Sequence, residues 1–100
     1  MAVTQLLIHA PTVDALKRAQ NNARNLLKLE PEAQVEIVVN GPAMSLAVTL
    51  SDEDILSRLV LCRNSLRSQG LTAQPQVKEV DAAVQYLAQQ QLKGWSYIRA

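Results

Sequence analysis

The sequence predicts an α/β domain built on a mostly parallel sheet. Short apolar, β-branched runs alternate with longer stretches of helical periodicity, which is the sequence form of successive β-α-β units. Breakers and capping residues mark the joints between those stretches. The 100 residues are 48% hydrophobic and 19% charged, enough for one core, and contain no repeat or linker that would divide it. One domain over residues 1–100 is expected.

Residues 3–9 are mainly apolar and bounded by Pro11, which suits a buried first strand. Thr12 is placed to cap a helix, with Asp14 in its first turn. Val13, Leu16, Ala19, Ala23, Leu26 and Leu27 then recur at three- and four-residue spacing until Pro31. Asn21, Asn22 and Asn25 are weak helix formers, so this helix should hold by packing rather than propensity. Val35-Glu36-Ile37-Val38-Val39 reads as the second strand, closed by the turn Asn40-Gly41-Pro42. A short helix is expected within residues 43–48, and Ser51-Asp52-Glu53-Asp54 opens another toward Ile55 and Leu56. The third strand ends near Cys62, and a short helix follows until Gly70. Residues 71–76 contain Pro75 and read as a loop, and residues 77–80 as a short strand. Asp81 is expected to cap a helix with Val84, Leu87, Ala88 and Leu92 on its buried face, stopped by Gly94. Residues 95–98 make a closing strand on which Trp95 and Tyr97 alternate, either completing the core or covering a subunit contact.

Composition narrows the function classes. The net charge is +1 and aromatics are 3%, with Lys and Arg scattered along the chain. Nucleic-acid binding, which calls for a clustered basic face and stacking aromatics, is not expected. A lone cysteine and a lone histidine make neither an internal disulfide nor a zinc cluster. Neither a metal nor a cofactor is expected, and the sequence shows no Gly-rich phosphate fingerprint. Met1-Ala2-Val3-Thr4-Gln5 lacks a basic leader, and no apolar run approaches a membrane span. A reducing cytoplasm is the expected setting.

The residues with chemical potential gather at the expected carboxyl edge of the sheet, where open α/β folds form their crevices. Cys62 ends a strand and precedes a helix, and backbone N–H groups there favour an anion. Such a field raises the thiolate fraction, with Arg63 and Arg67 close enough in sequence to add positive charge. The plainer reading is a small buried hydrophobe, which free cysteines often are. His9 ends the first strand and is either a base for the thiol or a structural residue. Asn40, Gly41 and Pro42 form a turn whose backbone N–H groups would reach the same crevice. Asp52, Glu53 and Asp54 read as solvated charge at a helix start rather than as metal ligands.

Several stretches together resemble one known family. They are Asn21-Asn22-Ala23-Arg24-Asn25-Leu26-Leu27, residues 35–43 with their Asn-Gly-Pro-Ala turn, Cys62-Arg63-Asn64-Ser65-Leu66, and Gly94-Trp95-Ser96-Tyr97-Ile98. The pattern is similar to the small DsrE/DsrF-like proteins, related to intracellular sulfur-oxidation and sulfur-relay subunits. It covers nearly the whole chain through four motifs in order. The resemblance implies a three-layer α/β/α sandwich with five strands, commonly assembled into oligomers. It also implies a cysteine that carries a persulfide between partner proteins. By position that cysteine is Cys62, within a Cys-x-Asn-Ser segment that brings Asn64 and Ser65 to the site, and Gly41 and Pro42 match the family turn. The sequence departs from the pattern between Leu46 and Arg58, which is short and lacks the usual Lys-Gly pair before the third strand.

The function expected on these grounds is a sulfur carrier. Cys62 would accept a persulfide, Arg63 and His9 would stabilise its thiolate, and Asn40, Gly41, Pro42, Asn64 and Ser65 would bind the substrate. A homo-oligomer with separate sulfur-donor and sulfur-acceptor proteins as partners is expected. The rival from another class is a non-catalytic oligomeric module that binds a small molecule or a protein with the same crevice.

Overall fold

The computed structural model describes residues 3–100; Met1 and Ala2, and with them part of the N-terminal stretch read above, lie outside the described residues. The elements run β1 (Gln5–Ala10), α1 (Val13–Leu29), β2 (Gln34–Val39), a 3-10 turn (Gly41–Ala43), α2 (Met44–Ala47), α3 (Glu53–Leu56), β3 (Leu59–Cys62), α4 (Arg63–Gln69), β4 (Lys78–Val80), α5 (Ala83–Leu92) and β5 (Ser96–Arg99). All four strand pairings are parallel, and the spatial order is β4-β3-β2-β1-β5. The sequence expectation of an α/β sandwich with a five-stranded sheet holds, and the sheet is parallel throughout.

That order fixes the layers. From β1 to β4 the chain steps in one direction across the sheet, and β5 returns to the far side of β1. Right-handed crossovers in opposite directions lie on opposite faces, so α5 covers the face that α1 does not. The strand register sorts the side chains accordingly. Ile8, Ala10, Ile37, Val39, Leu59 and Leu61 share the α1 face and are buried, beneath Leu16, Ala19 and Ala23 of α1. Leu7, His9, Glu36, Val38, Asn40, Val60, Cys62 and Tyr97 share the α5 face.

Local chemistry explains most boundaries. The Thr12 hydroxyl accepts from the Ala15 N–H at 3.0 Å, capping α1 as its position suggested. Asp52 caps α3 through the N–H groups of Asp54 and Ile55. The N–H of Ile55, foremost, with the N–H of Asp54 and the Arg24 guanidinium 3.5 Å away, holds the Asp52 carboxyl below the usual carboxylate range. Gly70 ends α4 in the left-handed region at φ 65°, where a side chain would be strained. Among the described residues, no helix is long and apolar enough to cross a membrane.

Two expectations are corrected at α5. The residue before its first turn is Ala82, with no side-chain cap, because the Asp81 carboxylate instead receives the Arg63 guanidinium. The buried face is also rotated. Ala83 and Leu87 point inward with Tyr86 half-buried, whereas Val84 is 77% and Leu92 89% exposed. Ala88 is exposed too. The cause is Glu36, which projects from β2 toward α5. The Tyr86 hydroxyl donates to it, and Lys78 Nζ donates to Tyr86 at 3.1 Å. A half-buried carboxylate needs donors, so Tyr86 turns in and the aliphatic stripe turns out. Burial together with the Glu36 carboxylate raises the Tyr86 phenol above its ordinary range, keeping it a donor.

Candidate functional site: a thiol between two helix starts

Cys62 is the last residue of β3 and immediately precedes α4. Its side chain lies on the α5 face, where the start of that helix meets it. The sulfur is therefore approached from two directions by N–H groups that no helix carbonyl satisfies. Burial alone would push the thiol up. The N–H groups of Ala83, Ser65 and Asn64 and the Ser65 hydroxyl outweigh it, so the thiol lies below its ordinary value. Hydrogen bonds to a charged acceptor are worth roughly 1.5–3 kcal/mol each, which is why several prevail over partial desolvation. Cys62 is unpaired and only 6% exposed, so in burial it matches the plainer reading of a small core residue.

Ser65 is held in place from the other side. Its Oγ accepts from the Gly41 N–H at 2.9 Å, so its own proton is free to turn to the sulfur. Gly41 sits at φ 60°, and a Cβ there would lie 3.3 Å from the Pro11 carbonyl oxygen. Its carbonyl also accepts from Gln69 Nε2 at 2.9 Å. The turn after β2 is thereby tied to α4 at both ends. Pro42 is exposed in the 3-10 turn, and its carbonyl accepts from the Ser45 hydroxyl at 3.1 Å.

The other expected site residues stand apart from the sulfur. Arg63 pairs with Glu79 at 3.4 Å and with Asp81, so its charge is met by two carboxylates rather than directed at the thiol. Asn64 contributes its backbone, and its side chain is exposed. His9 lies two strands from Cys62, roughly 10 Å across the sheet at the usual strand spacing. Its Nε2 is 2.9 Å from Asn40 Oδ1, and its Nδ1 is 2.7 Å from the Tyr97 hydroxyl. A carboxamide oxygen only accepts, so Nε2 donates to Asn40, and in the neutral ring Nδ1 then accepts from Tyr97. His9, Asn40 and Tyr97 form their own chain along the sheet edge.

Two contributors were absent from the sequence expectation. Ala83 acts through its backbone N–H, and an alanine carries no side-chain signal of such a role. Tyr97 was read only as an aromatic of the core or of a contact, because its place beside Leu7 and His9 depends on the β1–β5 pairing.

No family model matches the chain, and no curated protein does. The fold has a solved counterpart in MTH1491 from Methanobacterium thermoautotrophicum, described as a protein of unknown function. The two share 21% identity and a TM-score of 0.85, over 97% of this chain and 99% of that one. At this identity the likeness concerns the fold.

Proposed function

We propose that the chain is a thiol protein in which Cys62 carries sulfane sulfur as a persulfide and passes it to a partner. One observation carries this reading: the sulfur faces N–H groups from the starts of two helices and the Ser65 hydroxyl, which together favour its anion. The resemblance of the Cys62-to-Leu66 segment to the DsrE/DsrF-like proteins supports the same reading.

The step balances without an outside oxidant. The Cys62 thiolate attacks the outer sulfur of a donor persulfide, a new S–S bond forms on Sγ, the donor's S–S bond breaks, and the donor leaves as its own thiolate. An acceptor thiolate then attacks the outer sulfur and returns Cys62 to the thiolate. The same donors that hold the thiolate suit it as leaving group in this second exchange. A thiol with this task belongs in a reducing compartment such as the cytoplasm, with donor and acceptor proteins as partners. Self-association is part of the proposal, because β5 is an edge strand with all its residues exposed, Ile98 at 40%. The test is intact-mass measurement after incubation with a small persulfide donor. Wild type gains one sulfur and Cys62→Ser gains none; no gain on wild type overturns the proposal.

A further inference from the structure

The chain of His9, Asn40 and Tyr97 edges a separate crevice whose other walls are Val84, Leu87, Ala88 and Gln91. Its volume is about 440 Å³, within the range of small-molecule sites, and Cys62 is not among its lining residues. It lies on the α5 face of the sheet, over the carboxyl ends of β1 and β2 and beside β5. We infer that this crevice binds a small neutral molecule through a carboxamide- or lactam-like edge laid beside an apolar body.

The hydrogen bonds already made decide that edge. Asn40 Oδ1 accepts from His9, which leaves the Asn40 NH₂ as a donor with no protein partner. The Tyr97 hydroxyl proton is committed to His9 Nδ1, which leaves the phenol oxygen as an acceptor. Gln91 Nε2 donates to the Leu87 carbonyl at 3.1 Å, which leaves its Oε1 as an acceptor. A ligand that both accepts and donates along one edge complements this set. No carboxylate, lysine or arginine lines the crevice, His9 has both ring nitrogens engaged by Asn40 and Tyr97, and the aliphatic wall penalises an ion that would enter without a counter-charge.

Nicotinamide is a suitable probe, with nicotinate as its charged counterpart of the same shape. In titrations followed by amide NMR shifts, nicotinamide should saturate signals from Asn40, Val84, Ala88 and Tyr97. A dissociation constant on the order of 1 mM is expected for so small a ligand. Nicotinate should bind about tenfold more weakly or worse, a difference of one decade in affinity. Tyr97→Phe should weaken nicotinamide by a similar factor. Ala88→Trp, at an exposed helix position that tolerates bulk, should fill the crevice and abolish the shifts. Absence of saturable shifts, equal binding of nicotinate, or survival of binding in Ala88→Trp would each overturn the assignment.

Discussion

Ser65 shows how one hydroxyl links two segments distant in the chain. It accepts from Gly41 and its own proton is free to turn to Cys62, so its removal takes away a donor and loosens the turn at once. Ser65→Ala should therefore raise the thiol pKa, and Ser65→Thr, which keeps the hydroxyl, should largely restore it; thiolate absorbance against pH checks both. The depressed thiol also couples to stability. Its folded value lies below that of the unfolded chain, about 8.5 for a free thiol. The unfolded state thus binds the extra proton between the two values, and stability is gained as pH rises through that window. It is fully present above the unfolded value and lost as pH falls through the folded one. The stability of wild type relative to Cys62→Ser should accordingly grow from neutral to alkaline pH in urea titrations, and a constant difference would contradict the depressed thiol.

Among the elements, α1 and α5 mark the two extremes of what could be read in advance. In α1 the spacing of Leu16, Ala19 and Ala23 and the Thr12 cap agree with the packed result, because one apolar stripe meets an apolar sheet face. In α5 the aliphatic stripe of Val84 and Leu92 misleads, because a polar requirement from Glu36 in another element rotates the helix. Periodicity records apolar positions along one element and is blind to a carboxylate 50 residues away in sequence. The same blindness hid the fate of Asp81 and Arg63, each of which has a plausible local role until the ion pair forms. Within the site, the strand–Cys–helix context was legible. The second helix start at Ala83 was not, since it depends on where β4 returns the chain. The difference in packing is measurable. Leu16→Ala, at a fully buried position, should cost about 2–5 kcal/mol in urea denaturation. Leu92→Ala should stay within about 0.5 kcal/mol. Gly41→Ala should cost roughly 1–2 kcal/mol for its left-handed backbone, with added crowding against Pro11.

For the molecule as a whole, the strand order matters more than any one residue. An all-parallel sheet collects its carboxyl ends on one edge, and the order β4-β3-β2-β1-β5 sets Cys62 and His9 two strands apart on the same face. A thiol site and a neutral crevice can then coexist on one rim, joined through the adjacent residues Asn40 and Gly41. The order also leaves β5 with its outer side open at one end of the sheet. Light scattering at micromolar concentration should show an assembly larger than the monomer, and monomer alone would remove that part of the proposal. The most direct test of the central claim is the rate of Cys62 alkylation by iodoacetamide as a function of pH. The expected midpoint lies clearly below the free-thiol value of about 8.5, with a further upward displacement in Ser65→Ala. A midpoint at or above that value in the wild type would mean that the helix starts do not hold the sulfur as an anion.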